Sequence, residues 1–120
     1  MSTEPARAST CLFCRIVTGE LPADVVLSTE TVVAFRDVAP QAPTHVLVVP
    51  REHHENAAEL AAASPEVAAE LVTVAAAVAD GDGLDGHYRL VYNTGTGVGQ
   101  SVFHAHLHVL GGRPMGWPPG

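Results

Sequence analysis

Near its C-terminal end the chain reads Phe103-His104-Ala105-His106-Leu107-His108-Val109-Leu110, and no other stretch limits the fold so sharply. Side chains alternate faces along a strand, so His104, His106 and His108 share one face, roughly 7 Å apart in succession. Ala105, Leu107 and Val109 then point the other way, into a core. Packing alone does not call for three imidazoles in a row. Imidazole can attack, accept protons or bind metal near neutral pH, because its ordinary pKa is about 6.5. A half-buried strand whose wet face happens to carry His is the plainer alternative, and the clustering of ionisable groups weighs against it.

At 120 residues the chain is expected to be one domain with one core. Hydrophobic residues make up 47%, much of it Ala and Val, and aromatic residues are few, so the predicted core is aliphatic. The net charge is −7, with six Arg and no Lys. An acidic surface of this kind repels phosphate backbones and argues against general binding of nucleic acid or anionic membrane. A small phosphorylated ligand stays compatible with it, since a local nest of backbone N–H groups needs no net positive charge.

Residues 1–10 read as a flexible polar tail without the apolar core of a signal peptide. Residues 67–79, the most hydrophobic later stretch, are too few and too Ala-rich to span a bilayer. The expectation is a soluble cytoplasmic protein, in which Cys11 and Cys14 are reduced thiols.

A short helical turn over residues 11–17 precedes Gly19. Strands are predicted at residues 25–28, 31–36, 45–49, 88–92 and 102–110, with Thr29-Glu30 as a hairpin turn. Pro40 and Pro43 interrupt regular structure, and the near-continuous apolar run after His45 suggests a central strand. A weak helical pattern covers residues 54–63. A firmer helix follows, with Ser64 as N-cap, Pro65 at its first position and Val67, Leu71, Val74 and Val78 as its apolar stripe. These elements give an α+β fold: a five-stranded antiparallel sheet with one main helix. One helix covers only part of a sheet face, so the sheet is expected to extend across a homodimer.

Asn93-Thr94-Gly95-Thr96-Gly97-Val98-Gly99-Gln100-Ser101 lies directly before the His segment, and its glycines would let backbone N–H groups turn toward an anion. A dinucleotide fingerprint would need a helix after this loop, but a strand follows, which excludes that reading. His45 at a strand start is equally compatible with a backbone-bonded structural role. Asp37 is suited to accept sugar hydroxyls, though an Asp that closes a turn is common. Cys11 and Cys14, with His53 or His54 and one residue of the His segment, match the ligand set of a structural zinc site. A redox pair or two unconnected thiols are the rivals. The βαβ context of a thioredoxin-like motif is missing, so metal is favoured.

The motif from His104 to Leu110 resembles the signature of the histidine-triad (HIT) family, and the chain as a whole resembles its Hint-like branch of nucleotide phosphoramidases. The likeness also rests on residues 35–45, on Asn93, on Gly99-Gln100-Ser101-Val102 and on residues 111–120, and it covers residues 11–120 as a single HIT domain. It implies a homodimer that hydrolyses purine nucleoside phosphoramidates such as AMP-amine conjugates through a covalent nucleotidyl-histidine intermediate. In that picture His106 attacks, His108 bonds phosphate oxygens, His45 relays protons, and Ser101 with backbone groups of Gly99 and Gln100 stabilises charge. Asn93 lines the phosphate side, and Asp37 binds the ribose. Phe13, Ile16, Leu21, Phe35, Arg36, Val38, Leu47 and Val102 line the base and sugar cleft, and Trp117 shapes the leaving-group side.

The resemblance also implies structural Zn2+ on Cys11, Cys14, His53 and His104, with none required for the chemistry. Arg36 and Gly116 depart from the family's usual residues and bear on which leaving groups are accepted. Two other classes stand beside the hydrolase: a nucleotide-binding regulatory protein with incidental turnover, and a metal centre made by the triad itself. The spacing of the three His residues along a strand is wide for the latter.

Overall fold

The apolar run after Thr44 becomes the middle of the sheet. The computed structural model describes residues 10–120; the expected tail falls on residues 1–9, outside the described residues, except for Thr10. Strands β1 (Val25–Ser28), β2 (Val32–Arg36), β3 (Thr44–Pro50), β4 (Tyr88–Val91) and β5 (Leu107–Gly111) form one antiparallel sheet in the order β1-β2-β3-β5-β4. All of β3 is buried, as its composition predicts. Helices α1 (Leu12–Val17), α2 (Ala57–Ala63) and α3 (Pro65–Gly81) complete the α+β architecture. Among the described residues no helix is long and apolar enough to cross a membrane.

Alternation along each strand sorts the core into two faces. Val32, Ala34, Val46, Val48, Leu107 and Val109 pack against Leu60 of α2 and against Leu71, Val74 and Val78 of α3. These last three belong to the predicted stripe. The opposite face gathers Phe13, Val33, Phe35, Leu47 and Val49, with α1 laid over them. The two faces differ in cover: α2 and α3 seal the first, whereas α1, six residues long, covers only part of the second.

Two local expectations change. The His strand begins at Leu107 instead of residue 102, because its neighbour β3 runs out at Pro50. Proline has no N–H to give a ladder, and the Pro50 carbonyl is taken by the His104 side chain at 2.8 Å. The Ala105 N–H bonds instead to the His54 carbonyl at 2.7 Å. Ser64 makes no side-chain cap on α3, which starts on Pro65 alone. The capping side chain of this region is Asn56, which accepts the Glu59 N–H at 2.9 Å and so starts α2.

Candidate active site

His45 on β3 and His108 on β5 meet across the sheet. Leu47 is the direct partner of His108 in the register and His45 is the partner of Leu110, so the two imidazoles are diagonal neighbours on one face. Their nitrogens, His45 Nε2 and His108 Nδ1, lie 2.9 Å apart. Backbone chemistry fixes which of them holds the proton. The Gln41 N–H donates to His45 Nδ1 at 3.0 Å, so that nitrogen is a lone pair and Nε2 carries the hydrogen. His45 Nε2–H then donates to His108 Nδ1, which leaves the remaining hydrogen of His108 on Nε2. Asp37 stands at the same point, with Oδ2 at 3.4 Å from His45 Nε2 and Oδ1 held by the Ala39 N–H at 2.8 Å.

The same accounting defines His106. Its Nδ1 lies 2.8 Å from the His104 carbonyl. A carbonyl only accepts, so Nδ1 bears the hydrogen and the Nε2 lone pair is left for other work. The Phe13 ring stands edge-on to it, with centroids 5.0 Å apart at 82°, and the His108 ring centroid is also 5.0 Å away. Burial lowers the proton affinity of all these groups. His108 is pushed down to about 4 by burial and then by its neighbours His106 and His45. His106 and His45 are lowered by burial, partly offset by the His104 carbonyl and Asp37 for the first and by Asp37 for the second. The three imidazoles are therefore neutral near pH 7.

A second cluster lies on the other side of Phe13. Cys11 caps α1, and its Sγ accepts the Cys14 N–H at 3.3 Å, which brings both sulfurs to the start of the helix. His104 Nδ1 lies 3.4 Å from Cys11 Sγ and 3.5 Å from Cys14 Sγ, and His53 Nδ1 lies 3.2 Å from Cys14 Sγ. The Pro50 carbonyl takes His104 Nε2–H, so the Nδ1 lone pair faces the thiols. A tetrahedral zinc with bonds of about 2.1–2.3 Å holds its ligands roughly 3.4–3.8 Å apart. The four donor atoms here all lie within 4.8 Å of one another. Donor identity, spacing and tautomer fit the metal. His54, the open alternative in the sequence, pairs with Glu52 at 2.8 Å instead.

Asp37, His45 and His108 also lie within 4.8 Å of one another. They do not suit a metal in the same way: the Gln41 amide keeps the hydrogen on His45 Nε2, the atom a cation would need.

Other expected site residues fall in different positions. Phe35 and Leu47 are buried on the His face, and Ile16 and Val102 pack beside them. Leu21 is half-buried, tied through its N–H to the Arg15 carbonyl at 3.1 Å. Val38 and Trp117 project into solvent. Arg36, expected in the cleft, faces the opposite side of the sheet. It pairs with Val46 in the register, and its guanidinium grips the Asp82 carboxylate with two bonds of 2.9 and 3.0 Å. Arg36 therefore points away from the face that carries the histidines.

In the glycine loop, the N–H groups of Gly99 and Gln100 are spent internally, on the Thr96 and Gly95 carbonyls at 3.2 and 3.1 Å. Gly95 and Gly99 hold φ of 97° and 103°, which only glycine adopts without strain. The buried Gln100 side chain braces the loop, accepting the Gly95 N–H and donating to the carbonyls of Glu55 and Val102. Asn93 lies next to Gly99, within 3.8 Å of where a Cβ there would stand. Ser101 is exposed and lines a pocket of about 330 Å3 with Cys11, His53 and Phe103. The contributors that sequence reasoning missed are backbone groups: the Gln41 amide and the carbonyls of Pro50 and His104. The only signal for any of them was the tight Gln41-Ala42-Pro43 turn ahead of His45.

Known proteins resemble this chain in sequence and fold. A family model described as HIT domain matches residues 18–115. The chain is 41% identical over 111 residues to a purine nucleoside phosphoramidase of Escherichia coli (strain K12), covering 91% of this chain and 92% of that protein. It is 45% identical over 115 residues to a 14 kDa zinc-binding protein of Zea mays, covering 93% and 89% of the two chains. The crystal structure of a HIT family hydrolase from Legionella pneumophila Philadelphia 1 superposes with a TM-score of 0.88 at 46% identity, covering 92% of this chain and all of that one. On sequence, fold and triad alike, this chain belongs to the HIT family.

Proposed function

We propose that this protein hydrolyses purine nucleoside phosphoramidates, of which AMP-amine conjugates are the type, and releases the nucleoside monophosphate. The observation that carries the reading is the 2.8 Å bond from His106 Nδ1–H to the His104 carbonyl, which leaves Nε2 as an unprotonated nucleophile. His106 Nε2 attacks the α-phosphorus and the P–N bond breaks. The His45–His108 wire hands the leaving amine a proton taken up from solvent, so the His45 and His108 rings end neutral, and His108 Nε2–H bonds a phosphoryl oxygen. Water then attacks the nucleotidyl-imidazole, the Nε2–P bond breaks, and the proton released by water returns to solvent through the same wire. Asp37 takes the ribose hydroxyls, Ser101 and Asn93 the phosphoryl and leaving-group side, and Phe35, Leu47, Ile16 and Val102 the apolar walls of the cleft.

Cys11, Cys14, His53 and His104 are the residues that hold zinc in this reading, and the metal stiffens the site without joining the reaction. The working form is a homodimer in the cytoplasm. β4 lies at the sheet edge, where unpaired backbone groups favour a partner, and Trp117 of each tail is free to reach the other copy's leaving-group side.

Hydrolysis of adenosine phosphoramidate by the wild type beside His106→Ala tests this function. The expected loss in the variant is about 10³-fold or more, on the scale of removing a covalent nucleophile. Equal rates in the two proteins would remove the assignment.

A further inference from the structure

The zinc-type cluster and the nucleophile share a residue. His104 turns its Nδ1 to the two sulfurs at 3.4 and 3.5 Å, while its carbonyl takes the His106 Nδ1–H at 2.8 Å. A second connection runs through α1. Phe13 lies between the two cysteines in sequence, and its ring edge meets His106 at 5.0 Å and Phe35 at 5.5 Å. A third runs from the Ala105 N–H to the carbonyl of His54, the residue after the ligand His53, at 2.7 Å. The segment 104–106 needs these ties, because the β5 ladder begins only at Leu107 and does not fix the three residues before it.

Resting on the reading of His106 as nucleophile, we propose that the Cys11, Cys14, His53 and His104 centre, once loaded with metal, is a positioning device for that imidazole. Loading fixes the His104 ring and the peptide behind it, and α1 with its Phe13 is fixed by the same two thiolates. The His104 carbonyl then holds His106 in one tautomer, and the Phe13 edge holds its ring in one orientation. A displacement of about 1 Å at a reacting group can cost on the order of a hundredfold in rate. The effect of losing the metal therefore falls on kcat, and KM, set mainly by Phe35 of β2, Leu47 of β3 and Asp37, which the sheet holds in place, changes little. Cys11, Cys14 and Phe13 are positioning residues in this scheme.

The test compares zinc-loaded wild type, the same protein stripped by chelator, and Phe13→Leu, using 15N spectra of labelled histidine and steady-state kinetics on adenosine phosphoramidate. Loaded wild type is expected to give His106 signals of a single tautomer, with Nδ1 protonated and Nε2 not. Stripping should average those signals and lower kcat about 10- to 100-fold, the range found when groups supporting a metal site are removed, with KM within about twofold. Re-addition of Zn2+ restores both readouts. Phe13→Leu should keep its zinc and lose part of kcat. A stripped, folded protein with an unchanged His106 spectrum and unchanged kcat overturns the proposal. If stripping unfolds the chain, zinc-bound Phe13→Leu decides, and unchanged spectrum and rate there overturn it equally. Should loaded wild type fail to hydrolyse the substrate, the functional reading falls, and the 15N comparison still decides whether the metal fixes His106.

Discussion

The molecule uses imidazole on the two sides of Phe13 in opposite senses. At the cysteine cluster a carbonyl, that of Pro50, takes the N–H of His104 and turns a lone pair toward two sulfurs. At the β3–β5 pair a backbone amide, that of Gln41, takes the lone pair of His45 and turns an N–H toward His108. Both groups of side chains are buried histidines a few residues apart, so composition does not tell them apart. The main-chain partner of each ring does: an acceptor behind the ring frees a lone pair on its other nitrogen, and a donor behind it frees an N–H. His106 follows the first pattern without the sulfurs, and so presents a lone pair with no metal to take it up.

Changes on the relay side should cost most. His45→Gln keeps a donor toward His108 but cannot take up and release a proton, so kcat should fall about 10²-fold while bound zinc stays at one per chain, measured by metal analysis beside kinetics. An equal loss of zinc would mean that the two clusters are not separate. Cys11→Ser makes the complementary break: bound metal is lost and the melting temperature drops by several degrees, read by calorimetry. A variant that kept its zinc would contradict the ligand set.

A smaller and graded effect is expected with pH. Burial lowers His45, His106 and His108 from 6.5, the last to about 4. The proposed reaction uses neutral imidazoles, so hydrolysis should persist below pH 6.5 and fail only as these lowered values are reached. Folding stability follows with a definite sign. Below pH 6.5 the unfolded chain takes up protons that the folded His108 refuses, so stability falls from there down to about pH 4, by roughly 1.4 kcal/mol per pH unit for such a group. Above pH 6.5 this group contributes no slope. A melting temperature that is flat between pH 6.5 and 4.5 would contradict the burial of the relay. Arg36→Gln should have the smallest effect of all, less than about twofold on kcat/KM, because its partner is Asp82 beyond the opposite face of the sheet.

Much of this was legible in the chain. The alternation of Ala105, Leu107 and Val109 with the three histidines set the two faces of the sheet, and the stripe from Leu71 to Val78 set the helix that covers one of them. Arg36 was also readable in principle: Phe35 faces the site, and the next residue along a strand cannot face the same way. The start of β5 was not, since it depends on Pro50, a residue of another strand, withholding an N–H. Nor were the glycine-loop amides, whose partners are the loop's own carbonyls, or the tautomers of His45, His104 and His106. Those depend on main-chain groups, and every residue type supplies the same ones.

The claim most exposed to a single measurement is that His106 bonds covalently to phosphorus. One diastereomer of an adenosine phosphorothioamidate, hydrolysed in 18O-labelled water, reports the number of displacements at that atom. Attack by His106 followed by attack by water inverts the centre twice, so the account predicts a phosphorothioate product with retained configuration. Inversion would mean that water attacks directly, and would contradict it.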